Sequence, residues 1–192
     1  MSGQPIANLK IACLGWGSLI WDPRTLPIQG EWCKNGPFAP VEFTRQSSDG
    51  RMTLVIDPEA TPRRLLWAHL LPIDLLAARE SLRDRENIQS AEWQARIGSW
   101  QLGDGAPVHI PDLPEWTRAQ GLDAAIWTAL RPRFREQDRS PSVDEVIEYL
   151  RTLDGSIRER AKQYIEMTPR QIDTHYRRQI EAILGWSCKS DV

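Results

Sequence analysis

The 192-residue chain has only three cysteines. Cys13, Cys33 and Cys188 stand too far apart for a disulfide framework or for the paired thiolates of a zinc site. Their spacing fits a reducing compartment, and the expected location is cytoplasmic. Long hydrophobic runs are also missing. No segment approaches the roughly 20 apolar residues of a membrane helix, and Met1 to Pro5 lacks the basic stretch and apolar run of a signal peptide. A soluble protein without a membrane partner is expected. Neither sign of charge dominates: 24 basic side chains face 26 acidic ones, for a net charge of -2. Nucleic-acid binding draws on a concentrated basic surface, so nucleic acid is not an expected partner. The arginine-rich stretches 131–135 and 158–160 carry acids close by and read as solvated faces, with a phosphate-binding patch as the alternative. Histidine is scarce. His69, His109 and His175 lie in unrelated segments without a second ligand at metal spacing, so no metal and no cofactor is expected.

An apolar fraction of 41% is ample for a core, and the length fits a single domain over 1–192. Leu9 to Leu14 is short and apolar and runs into Gly15 and Gly17, which reads as a strand feeding a sharp loop. Arg51 to Ile56 follows the turn residues Ser48, Asp49 and Gly50, stops at Asp57 and Pro58, and reads as a strand that pairs with Val41 to Arg45. Arg64 to Leu71 and Ala124 to Leu130 have the same character.

A helix is predicted from about Ile73 and Asp74, with Asp74 capping free amides and Leu75, Leu76, Arg79 and Leu82 at helical spacing. It ends in the charged cluster 83–86. Ser142 and Glu145 form a capping-box pattern that opens a helix to about Leu153, with Val143, Val146, Ile147 and Leu150 as its stripe. A further helix is predicted from Ser156 to Met167, burying Ile157, Ala161, Tyr164 and Ile165. Another is predicted from Thr168 to Gly185, with Pro169 in its first turn and Gln171 completing a capping box. Residues 87–123 are rich in Trp, Gly and Pro and read as irregular, the character of a binding loop. Strands in the first two thirds and helices in the last third predict an α+β domain.

The loop Gly15, Trp16, Gly17, Ser18, Leu19 places small residues where consecutive backbone amides can converge on an anion, and Ser18 adds a hydroxyl. It lacks the third glycine of a dinucleotide fingerprint and the Gly-Lys-Ser/Thr of a P-loop, so a plain tight turn is the competing reading. The nucleophile elbow of a hydrolase needs a glycine after its serine, and Leu19 is there instead. Of the nine tryptophans, Trp16, Trp21, Trp93, Trp100 and Trp116 fall in or near this loop or in the irregular segment. Most are expected in the core, with a few beside a pocket.

Residues 14–23, Leu-Gly-Trp-Gly-Ser-Leu-Ile-Trp-Asp-Pro, resemble the Tyr-Gly-Ser-Leu signature of gamma-glutamylcyclotransferases, most of all its longer form in the ChaC-like branch. Arg51 to Pro58 is similar to the family's second strand, and Leu82 to Glu86 to its acidic motif. The resemblance spans about 9–130. It implies a small, partly closed mixed β-barrel with flanking helices, to which the helices read from the residues add a helical C-terminal extension at about 140–186. It also implies a γ-glutamyl small-molecule substrate held at Gly15, Trp16, Gly17, Ser18 and Leu19, with Glu86 as the catalytic acid/base. Such an enzyme closes the substrate's α-amine onto its own γ-carbonyl and releases 5-oxoproline and a free amine. One carboxylate can take and return the protons, and attack within one molecule supplies the proximity advantage without a covalent nucleophile or metal.

The chain departs from the family at Trp16, where a Tyr is usual, and at Arg83, where an Asp is common. The first removes a phenol hydroxyl from the substrate's vicinity, and the second is expected to set a cation near the proposed base. The competing reading of Glu86 is a solvated carboxylate at the end of a charged helix, paired with Arg85 or Arg83. A binding domain that keeps the fold and the loop without catalysis is the competing expectation. No residue pattern sets an oligomeric state or names the group attached to the γ-glutamyl unit.

Overall fold

The computed structural model describes residues 9–71 and 73–190. Its strands are β1 (Ile11–Gly15), β2 (Ile28–Cys33), β3 (Phe38–Gln46), β4 (Met52–Ile56), β5 (Pro62–Arg64), β6 (Leu66–Leu70), β7 (Ile97–Gln101) and β8 (Ala124–Thr128). The helices are α1 (Leu75–Arg85), α2 (Leu113–Ala119), α3 (Val143–Thr152), α4 (Gly155–Met167) and α5 (His175–Leu184). The α+β class expected from the sequence is what the chain adopts. No closed barrel is found among the described strands, which divide into a five-stranded sheet, β2-β6-β1-β8-β7, and a three-stranded sheet, β4-β3-β5. The stretch 64–71 does not form one strand. It breaks at Leu65, so that β5 pairs with β3 and β6 joins the larger sheet.

β1 sits at the centre of the five-stranded sheet, antiparallel to β6 and parallel to β8. Every residue of β1 is buried, as a strand covered on both faces must be. Successive side chains point to opposite faces. Ala12 and Leu14 therefore join one core with Ala125 and Trp127 of β8, while Ile11 and Cys13 join a second with Ala124 and Ile126. The second core is closed by Ala78 and Leu82 of α1. The first is closed by Val41 and Phe43 of β3, Met52 and Leu54 of β4, and the apolar stripes of α3, α4 and α5.

The hairpin of β3 and β4 forms as predicted, with Val41 opposite Ile56 and Gln46 opposite Met52. Asp74 caps α1 by accepting from the Ala77 amide at 2.8 Å. The buried face of α1 is Ala78, Leu82 and Arg85, however, and Leu76 is exposed. The helix presents a charged residue inward, and an apolar-periodicity reading passes over it. Ser142 and Glu145 complete both halves of a capping box on α3. On α4 the stripe Ala161, Tyr164 and Ile165 is buried, but Ile157 is exposed.

The helix expected from Thr168 starts later, at His175, with Thr174 as its cap. Thr168 instead terminates α4, and its hydroxyl donates back to the Tyr164 carbonyl at 2.9 Å. Gln171 spends its side-chain amide on the Arg64 carbonyl at 2.9 Å. The buried Arg177 takes the carbonyls of Thr168, Pro169 and Ile172. The intervening loop is thus fixed by side chains rather than by helical hydrogen bonds. Gly185 closes α5 in the left-handed conformation, φ 69°, as a terminal glycine does. The segment 87–123, expected to be irregular, contains β7 at the sheet edge and α2.

Candidate functional site

Strands β1 and β8 run parallel, so both end at one side of the sheet, and ligands of such sheets gather beyond the carboxyl ends of the strands. Three further features converge there: the loop after β1, the C-terminus of α1, and the start of β7, whose Ile97 lies opposite Thr128. Together they border a cavity of about 1020 Å³ lined by Gly15, Trp16, Gly17, Ser18, Leu19 and Glu86, all six residues singled out from the sequence.

The loop is a compact turn. The Ile20 amide donates to the Gly17 carbonyl at 3.0 Å and the Asp22 amide to the Ser18 carbonyl at 2.9 Å. The amides of Gly17, Ser18 and Leu19 reach no backbone acceptor among the described residues. Three consecutive donors without a protein partner, at the wall of a cavity, form the kind of concavity that binds an anion. The Leu19 side chain turns away into the core beneath α1. Trp16 also turns away: its indole N–H donates to the Leu54 carbonyl at 3.1 Å. A phenol hydroxyl nevertheless stands beneath the loop, supplied by Tyr164 of α4, which accepts from the Leu54 amide at 3.3 Å. β4 is an edge strand, and these two side chains satisfy groups that an edge leaves unpaired. The loop is in this way pinned to the smaller sheet.

Tyr164 also explains Gly17. A Cβ at position 17 would collide with the Tyr164 hydroxyl, so no other residue fits without displacing the ring. Burial, and secondarily the nearby charge of Glu86, push the Tyr164 phenol up to about 12. It remains a neutral hydroxyl at physiological pH. The Arg51 guanidinium lies 5.3 Å from its ring centre, an attractive position for a cation over an aromatic face.

Glu86 is the C-cap of α1, held by its amide donating to the Leu82 carbonyl at 3.0 Å. One carboxylate oxygen accepts from Arg85 Nη1 at 2.7 Å. The other takes no hydrogen bond from the described residues and belongs to a side chain that is 18% exposed. The cation beside Glu86 is therefore Arg85, not Arg83, which pairs with Asp84 at 2.7 Å and lies over the Trp93 ring. Of the two arginines the sequence offers as its partner, the structure takes Arg85. A side chain two positions back along a helix points to a different face, whereas Arg85 follows Ala78 and Leu82 on the inward stripe.

Arg85 also joins the helix end to the loop. It donates through Nη2 to Ser18 Oγ at 3.2 Å and to the Asp22 carbonyl at 2.6 Å, and through Nε to that carbonyl at 3.1 Å. Arg24 in turn donates to the Arg85 carbonyl at 3.1 Å, a favourable place for a cation at a helix C-terminus. Behind the site, burial first and the Glu86 charge second push the Cys13 thiol up, so it stays protonated. Sequence reasoning did not assign Arg85 or Tyr164 to the site. The available signals were an arginine on an apolar stripe and a tyrosine on another, both of which read as packing.

His69, His109 and His175 do not come together, and no group of three or more histidine, cysteine or carboxylate residues among the described residues is placed to hold a metal ion. No helix among the described residues is long and apolar enough to cross a membrane.

No family model and no curated protein matches the chain by sequence. In three dimensions the fold is that of gamma-glutamyl cyclotransferase structures. It is similar to a crystal structure of a gamma-glutamyl cyclotransferase specific to glutathione from yeast, with a TM-score of 0.51 and 15% identity, covering 96% of this chain and 100% of that one. A second crystal structure of the yeast enzyme covers 92% and 98%, with a TM-score of 0.47 and 15% identity.

Proposed function

We propose that the protein is a gamma-glutamyl cyclotransferase-like enzyme, acting on a γ-glutamyl amide or peptide to give 5-oxoproline and a free amine. One observation carries the reading: the unsatisfied amides of Gly17, Ser18 and Leu19 and the open oxygen of Glu86 share one cavity. In this reading the amides hold the substrate's α-carboxylate. The α-nitrogen loses a proton to Glu86 and attacks the γ-carbonyl carbon. A new C–N bond closes the five-membered ring as the C–N bond to the departing amine breaks. Over the whole reaction two protons leave the α-nitrogen and two reach the departing nitrogen, so the carboxylate ends as it began.

A second reading has its own observation. The Arg85 pair at 2.7 Å neutralises Glu86 in a way that suits a ligand-binding domain without turnover. The two separate in one experiment, 5-oxoproline release from a panel of γ-glutamyl compounds by wild type and Glu86→Gln. Release by wild type, lost by more than about 100-fold in Glu86→Gln, is expected, since a positioned acid/base contributes about that factor or more. An equally active Gln variant overturns the assignment of Glu86. Ligand-induced stabilisation without any product supports the binding domain.

A further inference from the structure

The stretch 131–135, expected to be a solvated face, in part lines the same cavity. Arg133 and Arg135 border it together with Arg45 at the end of β3 and Arg96 just before β7. Backbone bonds hold the first three segments in place. The Gln46 amide donates to the Arg133 carbonyl at 2.7 Å, the Arg133 amide to the Thr44 carbonyl at 3.1 Å, and the Ala129 amide to the Arg96 carbonyl at 2.8 Å. Arg45 is further fixed through Nη1 on the Arg131 carbonyl at 2.7 Å.

The other arginines of the cavity are matched by acids: Arg24 by Asp22, Arg51 by Asp49 and Arg85 by Glu86. Arg45, Arg96, Arg133 and Arg135 have no ion pair among the described residues. Glu136 also lines the cavity, and Asp138 lies near enough to Arg45 to favour its charge. Two of the four positive charges are thus offset in the neighbourhood and two are not. Arg45 registers the crowding: burial first, then Arg133 and Arg96, push its guanidinium down from the ordinary value.

Arg135 has a second peculiarity. Phe134 and Gln137 exchange both backbone hydrogen bonds, at 2.9 and 3.0 Å, which makes the intervening pair the centre of a two-residue turn. Arg135 has φ 47° and Glu136 φ 63°, a conformation that Asn-Gly adopts freely and that costs about 1 kcal/mol or more for each residue with a larger side chain. Strain retained in a turn at the mouth of a cavity marks a place where side-chain identity matters.

We propose that Arg45, Arg96, Arg133 and Arg135 form an anion subsite that receives a doubly negative group, a phosphate monoester or a pair of carboxylates, on the amine side of the ligand. A single carboxylate would leave one of the two unmatched charges uncompensated, whereas a dianion meets both. As a statement about the substrate the inference rests on the cyclotransferase reading, but anion binding can be tested without turnover.

Thermal unfolding of the full chain is followed with inorganic phosphate, malonate and acetate as probes at fixed ionic strength, because exposed arginines are sensitive to screening. Phosphate, malonate or both should raise Tm in a saturable way, and any acetate response, which the loop amides can give, should be smaller and unchanged in the arginine variant below. Which dianion acts identifies the phosphate or the dicarboxylate form of the ligand. The variant Arg96→Gln/Arg133→Gln should weaken that response by about tenfold or more in apparent affinity, since each charge-assisted contact is strong. Neither side chain makes an ion pair with the described residues. The control Arg151→Gln/Arg170→Gln removes the same charge elsewhere and should bind as wild type does.

An acetate response equal to that of the dianions, an undiminished response in Arg96→Gln/Arg133→Gln, a control as weak as that variant, or no saturable response overturns the subsite. Where 5-oxoproline is released, the kcat/KM ratio of γ-glutamyl-glutamate over γ-glutamyl-alanine should also fall about tenfold in Arg96→Gln/Arg133→Gln. An unchanged ratio counts against the subsite. Absence of product from every compound overturns the cyclotransferase reading alone, and the anion titration still decides the subsite.

Discussion

Replacing Arg85 by methionine keeps most of the buried stem and removes the guanidinium, and with it the bonds to Ser18, Asp22 and Glu86. Arg85 is 5% exposed and Glu86 18%, so the substitution strands a largely buried carboxylate without its counter-charge. Breaking a buried pair in this way costs about 3–5 kcal/mol, and residual hydration of Glu86 places the expected value near the lower end, about 3 kcal/mol. For a chain of this size that is a fall in Tm of roughly 6–12 °C. The informative assay is a cycle of urea unfolding on wild type, Arg85→Met, Glu86→Gln and the double variant. If stranding of Glu86 is the main cost, the double variant should be more stable than the two single losses predict by about 1 kcal/mol or more. Additive losses within about 0.5 kcal/mol would refute the reasoning and leave Arg85 as a tie between loop and helix only.

Three further outcomes are expected. Gly17→Ala should destabilise the protein by about 1–3 kcal/mol through collision with the Tyr164 hydroxyl, and Tyr164→Phe in the same chain should recover part of that loss; equal losses in both backgrounds would place the clash elsewhere. Glu145 is held down to about 2 by the Arg139 guanidinium and the Ser142 amide. Its stabilising contribution is therefore present above the ordinary value of 4.5 and is lost as pH falls toward about 2. Glu145→Gln should lower Tm at pH 7 and narrow its gap to wild type across that window; a gap independent of pH would count against the linkage. Cys13, buried and with its thiol pushed up, should resist a thiol reagent until the chain unfolds, while Cys33 and Cys188, half-buried, react in the native protein. Three thiols titrating together without denaturant would contradict the burial of β1.

The elements legible in the sequence were those with a strong local signal. The hairpin of β3 and β4 announced itself through its turn residues, α3 through Ser142 and Glu145, and the loop through its paired glycines. What stayed hidden was set by tertiary partners. β7 and α2 lie in a stretch whose Gly and Pro content reads as loop, and pairing with β8 rather than local propensity makes the strand. The late start of α5 follows from Arg177 and Gln171 satisfying backbone carbonyls from a distance. At the site, the position of Glu86 beside the loop is consistent with the motif reading. Its partner was narrowed to Arg83 or Arg85 and no further, because which of them faces inward depends on which side of α1 the sheet covers. The split into two sheets turns on the break at Leu65, where neighbouring strand residues pass to different partners.

The reach of Tyr164 beneath Gly17 has a consequence for how the cavity comes into being. The loop is written near the start of the chain and its floor near the end, on a helix that follows every strand. During synthesis the N-terminal portion emerges first, so the glycine turn exists for most of that time without the hydroxyl it rests on. The cavity is consequently complete only once α4 has been made. A fragment ending before α4, however well its strands pair, would carry the motif without the site.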